Sequence, residues 1–290
     1  MIEAKVIADS ISGSGKRITT LQVKFHRFIL PEFNTHRVFS RNFSSSRAIP
    51  TKKLLEQVRN DPAMPVHWGK NQPGMQAQEE LDPQTARIAE TYWKVAASRA
   101  ADMAQRLADI GAHKQIVNRI IEPYLWANGI VTSTEWDNWF DLRDHVDAQP
   151  EIRSLAREMK ASMYDAVKGS TPKELAPGEW HLPYLTDEEV YKFGVKLGCQ
   201  ISAARCCRVS YLKHDGTAPN VDEDLALFER LAGAVPLHAS PLEHQATPDI
   251  IVPTSRSEMA HWQDQSSHGN LVGWVQYRKL WEREVYSKMN

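Results

Sequence analysis

An α+β chain in one domain, with helix dominant and a small sheet, is what the sequence predicts. Three observations carry it. Leu21, Val23 and Phe25 alternate with Gln22, Lys24 and His26, the period of a half-buried strand. Apolar residues at helical spacing recur after Pro83, Pro150 and Thr186. No firm internal boundary divides residues 1–290, which suffice for one large core.

Taken in order, Ile2 to Ile11 and Ile18 to Phe25 read as strands. Ser12-Gly13-Ser14-Gly15-Lys16 between them reads as a hairpin turn. It is not a phosphate-binding P-loop: no glycine stands five residues before Gly15, and Arg17 replaces the Ser/Thr that would bind magnesium. Residues 50–80, with Pro50, Pro62, Pro65 and Pro73, read as an irregular connection, either a lid or a disordered tip. Asp82-Pro83 opens a helix whose apolar face is Ile88, Trp93, Ala96, Ala97, Ala100, Met103, Ala104 and Leu107, and Gly111 stops it. A second helical stretch carries Ile116, Val117, Arg119, Ile120 and Ile121 up to Pro123. Pro150 to Val167 is amphipathic, with Ile152, Leu155, Met159, Met163 and Val167 on one side and Gly169 as its end. Lys173 to Pro183 reads as a Pro/Gly-rich loop. Thr186 and Glu189 form a capping box before Val190, Phe193, Leu197, Ile201 and Ala204. Asp222 is read as the cap of a short helix with Leu225, Phe228 and Leu231, and Gly273 to Lys279 is an aromatic, basic tail.

Composition excludes several classes. The formal net charge of −1 supplies no global basic field, so no nucleic-acid partner is expected and any anion site must be local. No apolar run reaches membrane-spanning length and no signal-peptide core opens the chain, so neither membrane nor export is expected. Cys199, Cys206 and Cys207 fit neither a disulfide framework nor a zinc spacing, and a reducing cytoplasm suits them best. They lack a nearby base in sequence and read as buried structural thiols.

Chemistry concentrates in a few places. The stretch Asn34 to Ile49 holds three arginines, one histidine and four serines without a single acid. It is either a solvated loop or a set of donors for an anion. Arg119 pairs with Glu122 three residues on, or binds an anion. Arg143 has Asp141, Asp144 and Asp147 nearby, enough for an ordinary salt-bridge cluster. His238 and His244 flank Ser240, Pro241 and Glu243; the spacing suits no standard metal pattern, and no metal is expected.

Read together, these segments resemble the flavin-dependent thymidylate synthases. That family's RHRxxSxNxxSxRY signature is matched at His36, Arg37, Ser40, Asn42, Ser45 and Arg47, and departs at Thr35 and Ala48. Asn118 to Pro123 is similar to its ARxxLP segment, with Glu122 for Leu. Asn138 to Arg143 followed by Ala148 to Arg153 is similar to its NFLxLR…AQxEI segment. Two segments that usually precede the signature come late here: Ala203 to Tyr211 resembles an AARVSF stretch, and His238 to His244 an HETPFEH stretch. A circularly permuted, divergent member is the simplest account, with the family's N-terminal segments moved to about 200–290. Residues 50–80 and about 170–185 have no counterpart.

The resemblance implies the family's fold, a small, mainly antiparallel sheet with several helices. It implies FAD-dependent methylation of dUMP at C5 to dTMP, with methylenetetrahydrofolate and NADPH as co-substrates, and a homotetramer. Related C5 hydroxymethylation, or a non-catalytic nucleotide-binding relative, are the alternatives. Carried over, Arg143 is the catalytic group that polarises the pyrimidine. Ser45, Ser46, Arg47 and Arg119 bind substrate, while His36, Arg37, Val38, Asn138, His238, Ser240 and Glu243 bind cofactor. Gln276 and Arg278 resemble a QWxRHR lead-in and would compensate for Thr35 at the substrate. Phe43 stands where the family has Glu, and Thr132 and Thr134 where it has flavin-contacting Asn and Arg.

Overall fold

β1 (Glu3–Ser12) and β2 (Arg17–His26) form an antiparallel hairpin, with Val6 opposite Leu21 and Ser10 opposite Ile18. The turn closes with Ser12 accepting from Gly15 N–H at 2.8 Å, and Gly15 takes φ +79°, a conformation that glycine adopts without strain. The computed structural model describes residues 1–209, 217, 220–234, 236–253 and 261–289. Ser210 and Tyr211, the end of the AARVSF-like stretch, lie outside the described residues.

β3 (Ser40–Phe43) and β4 (Trp126–Ser133) extend the sheet on one side. β5 (Lys173–Leu175) joins β1 in parallel on the other, giving the order β3-β4-β2-β1-β5. Side-chain alternation gives the sheet two working faces. Leu21, Val23, Phe25, Ala127 and Val131 pack into one core with Phe33, Trp136 and Trp139. Ile152, Leu155 and Met159 of α6 (Pro150–Tyr164) complete it. Ile18 and Ile130 point the other way, against Leu175, Trp274 and Tyr184, so the C-terminal third covers the second face.

The remaining helices are α1 (Leu30–Phe33), α2 (Thr51–Asn60), α3 (Pro83–Asp109), α4 (Lys114–Val117) and α5 (Asp137–Arg143) before α6, then α7 (Asp187–Arg208), α8 (Val221–Ala232) and α9 (Tyr277–Met289). Asp82 caps α3 through the N–H groups of Gln84 and Thr85, and Thr186 and Glu189 form the expected capping box on α7. Short pairs β6 (Ala246–Pro248) with β9 (Trp274–Gln276), and β7 (Ile251–Val252) with β8 (His261–Trp262), finish the chain.

Several boundaries differ from expectation. The connection after Pro50 contains α2, which buries Leu54, Leu55 and Val58 against α3. α4 stops at Val117, so Arg119 lies in the following turn and is half exposed rather than on an apolar helix. α6 ends at Tyr164, leaving Val167 exposed, and Lys173 to Leu175 is a strand rather than loop. Asn220, not Asp222, caps α8, by accepting from Asp222 N–H. α3 buries Ala97 and Ala104 of its expected apolar face, with Ala101 beside them, but leaves Ile88 and Met103 exposed. α7 is broken at Gly194.

Candidate active site

The Ser/Arg stretch meets α5 around His36. Backbone bonds from Asn34 N–H to Leu30 and from His36 N–H to Phe33 carry the chain out of α1 and place the His36 ring against Trp139 and Phe39. His36 Nε2 accepts from Arg143 Nε at 2.8 Å, and Arg143 Nη2 reaches Thr35 Oγ1 at 3.4 Å. Because Nε2 is the acceptor, the ring carries its proton on Nδ1 and is neutral. Burial, then the charges of Arg143 and Arg41, push its pKa down to about 4. Arg143 makes no ion pair among the described residues: Asp144 is taken by Arg157 and Lys160, and Asp147 faces His145. The guanidinium thus keeps its full positive charge at the end of α5, where the helix dipole favours it.

The late segments form the wall beside this contact. Asn42 donates to the carbonyls of Cys206 and Cys207 and accepts from Ser240 Oγ at 3.1 Å. Gln276, buried, donates to Ser40 Oγ, the Glu243 carbonyl and Asn270 Oδ1. Asn270 returns a bond to the Val38 carbonyl at 2.8 Å. Arg278 is held by Glu243 and Glu282. An open cleft of about 360 Å³ lies here, lined by Arg37, Phe39, Arg41, Glu243 and Asn270.

A second cluster adjoins the first. Arg41 Nε donates to Asn34 Oδ1 at 2.8 Å, and Asn34 also lines a neighbouring cleft of about 620 Å³ with Arg27, Arg119, Glu122 and Pro123. Glu122 Oε1 accepts from Arg119 Nη1, Arg27 Nε and Ser46 Oγ. These partners hold its pKa below the usual carboxylate range against the opposing effect of burial. Asn118 Nδ2 binds the Ser46 carbonyl at 2.7 Å and fixes the Ser45–Arg47 turn beside Arg119.

Of the sequence-derived candidates, the fold brings His36 and Arg143 together, and groups Ser240, Glu243, Gln276 and Arg278 beside them. Ser46 and Arg119 meet at Glu122, with Ser45 and Arg47 in the same turn. Arg37, Val38, Arg47, Asn138 and His238 are exposed. Gln276 and Arg278 spend their donors inside the protein. Phe43 packs edge-on to Phe25 and Phe33. Thr134 accepts from Val272 N–H, and Thr132 is buried. The site residues that sequence reasoning missed are Arg27, Arg41 and Asn270; Arg27 directly follows the alternating strand, and Arg41 lies inside the acid-free stretch. The thiols of Cys199 and Cys206 are buried and pushed up by that burial. Among the described residues no group of three His, Cys, Asp or Glu is placed to hold a metal, and no helix is long and apolar enough to cross a membrane.

The profile of a family described as thymidylate synthase complementing protein (Thy1) matches residues 17–167. The chain belongs to this family. As a member it is a flavin-dependent thymidylate synthase-like enzyme with an α+β fold. The matched span contains the Ser/Arg stretch, the Asn118–Pro123 segment and the Asn138–Arg153 segments; the late segments lie outside it. Among solved structures, a UMP/dUMP methylase PolB from Streptomyces cacaoi bound with 5-Br dUMP is 15% identical, with a TM-score of 0.45, over 56% of this chain and 89% of that one. The same methylase with 5-Br UMP gives 16% identity and a TM-score of 0.43, over 56% of this chain and 88% of that one. Thymidylate synthase ThyX from Helicobacter pylori with FAD and dUMP gives 14% identity and a TM-score of 0.38, over 52% of this chain and 70% of that one. No curated protein sequence matches significantly.

Proposed function

We propose that this enzyme methylates C5 of dUMP to give dTMP, with FAD as its flavin, methylenetetrahydrofolate as one-carbon donor and NADPH as reductant. The Arg143–His36 contact carries the reading. A guanidinium that is paired with a neutral imidazole, and with no carboxylate, retains its charge for a ligand. Aimed at a pyrimidine carbonyl, it stabilises negative charge that develops on the ring. His36 fixes its orientation through Nε and Thr35 meets Nη2, while Nη1 is left to the substrate.

The donors around the smaller cleft fit a flavin dinucleotide. Arg37 is exposed and makes no ion pair among the described residues, so it can meet a pyrophosphate. Val38, Asn138, His238, Ser240 and Glu243 would complete the holding set. Bound there, FAD would supply the methylene relay and the hydride that completes the methyl group. The larger cleft would take the nucleotide, with Ser45, Ser46, Arg47 and Arg119 toward its phosphate. Packing of Ser240, Glu243 and Gln276 onto Ser40 and Asn42 supports a permuted single domain, in which late segments return to the signature. We also propose an oligomer, a tetramer by family: Ile88, Tyr92, Val95 and Met103 form an exposed apolar stripe along α3.

The test is tritium release from C5-labelled dUMP by FAD-loaded protein, with mass analysis of the product. Release that requires methylenetetrahydrofolate, with dTMP as product, supports the reading. A hydroxymethyl product, or dUMP binding without release, overturns it.

A further inference from the structure

Three donors converge on a single carboxylate oxygen in the larger cleft. Glu122 Oε1 accepts from Ser46 Oγ at 2.5 Å, Arg119 Nη1 at 2.8 Å and Arg27 Nε at 3.1 Å. Two guanidinium groups and a hydroxyl around one anionic oxygen is the arrangement a phosphate oxygen takes. The chain therefore fills its own best anion position with an anion.

The donors are not all held by that anion. Arg27 is also tied through Nη1 to the Ser44 carbonyl at 3.4 Å, and the Ser46 backbone is held by Asn118. Both remain in place if the carboxylate leaves. The Arg119 side chain has Glu122 as its one hydrogen-bond partner among the described residues and is 51% exposed, so it can follow either anion. Glu122 starts a 3-10 turn whose next residue is Pro123, which restricts the backbone there, so the carboxylate moves by its side-chain torsions. The side chain borders the open cleft and is 24% exposed, so a solvent-facing rotamer is available to it. Arg47, exposed and without an ion pair among the described residues, adds a landing charge in the adjoining turn.

We propose that Glu122 is a specificity-determining residue, a resident anion that competes with the ligand's phosphate for Arg27, Arg119 and Ser46. Phosphate enters when the carboxylate swings out, and until then the cluster is satisfied and partly neutralised. The inference rests on the reading that this cleft receives the nucleotide's phosphate. It makes the site weak for phosphate alone and dependent on the pyrimidine for the rest of its affinity.

Calorimetric titration of the FAD-loaded protein with inorganic phosphate, dUMP and deoxyuridine tests it. Glu122→Gln removes the charge and keeps the shape; Glu122→Asp keeps the charge and withdraws it by one methylene. Glu122→Gln should tighten phosphate and dUMP by roughly tenfold, the scale of one charge interaction at a partly exposed site, and leave deoxyuridine unchanged. Glu122→Asp should fall between, and it serves alone if the Gln variant does not fold. The KM for dUMP should drop with kcat unaltered. Weaker phosphate binding in either variant would make Glu122 an organiser of the arginines and overturn the proposal, as would an equal change for deoxyuridine. The two readings separate cleanly. Tighter phosphate with no dUMP binding in any variant retains the competing carboxylate and removes the nucleotide; dUMP turnover with unchanged phosphate affinity does the reverse.

Discussion

Arg143 owes its chemistry to an unusual partner. An arginine beside Asp141, Asp144 and Asp147 reads from sequence as one of a solvated cluster, yet Asp144 and Asp147 are paired elsewhere and a neutral histidine receives its Nε–H. Replacing it with alanine should lower kcat by about 10²–10³, as removing a preorganised donor to developing charge does. Arg143→Lys should recover little, because a single ammonium cannot hold His36 and a pyrimidine carbonyl together. The loss should carry a second signature. Burial and then the Arg143 charge depress His36 to about 4, so in Arg143→Ala the imidazole should titrate higher, which NMR of the ring nitrogens would read. An unmoved His36 titration alongside unchanged kcat would remove Arg143 from the site.

At the scale of elements, β3 and β4 depend on one close approach. A Cβ on Gly129 would stand 2.1 Å from the Phe43 ring, so the ring occupies the space that any other residue would need. Gly129→Ala should destabilise by roughly 1–3 kcal/mol through overpacking, measured by urea unfolding; a neutral result would mean that β3 is free to shift. Helices α7 and α8 are joined by a buried ionic knot. Arg205, 1% exposed, donates to Asp224, Glu189 and the Tyr184 carbonyl. Asp224→Ala should cost about 3–5 kcal/mol, since it strips a buried cation of a partner, and a denaturant midpoint within error of the parent would contradict that. These elements were unequally legible. The hairpin, α3, α6 and the capped start of α7 announce themselves by alternation, caps and helical spacing. β4 does not: it is a central strand buried on nearly every residue, so it lacks alternation, and Asn128-Gly129 interrupts it with residues typical of turns. The Arg205–Asp224 knot was illegible for a related reason. Its partners are 19 residues apart, and an aspartate in the first turn of a helix looks like an exposed dipole partner until its neighbour is known. The same limit applied to the candidate site: its signature residues were readable as a string, but Arg27, Arg41 and Asn270 join it only through pairing across strands and loops.

Across the whole molecule, a buried hydrogen-bonded chain ties the sheet to two of the segments that cover its second face. Ser10 Oγ meets His181 Nδ1 at 2.9 Å, His181 Nε2 meets Thr20 Oγ1 at 2.8 Å, Thr20 meets Thr132 at 2.7 Å, and Thr132 meets His244 Nδ1 at 2.8 Å. It joins β1, β2 and β4 to the 173–183 segment and to the end of the His238–His244 segment. Burial depresses His181 to about 4 and His244 to about 3, and with His36 that makes three imidazoles kept neutral by the fold. In the unfolded chain each would titrate near the ordinary value of about 6.5. Below that pH the unfolded state binds more protons than the native state, so stability rises with pH there and is lost as pH falls. The contribution is whole above about pH 7 and declines through the interval down to about pH 4. At about 1.4 kcal/mol per pH unit for each group, every imidazole costs about 2 kcal/mol between neutrality and pH 5. The urea midpoint should therefore fall steeply from pH 7 to pH 5, before most carboxylates titrate. His181→Gln should be less stable at pH 7, because Gln cannot bridge Ser10 and Thr20 as the ring does, yet its stability should depend on pH less steeply by about one proton. A parent whose midpoint is flat from pH 7 to pH 5, or a His181→Gln variant with the parent's slope, would show that these rings accept protons in the native state and that the chain does not hold them neutral.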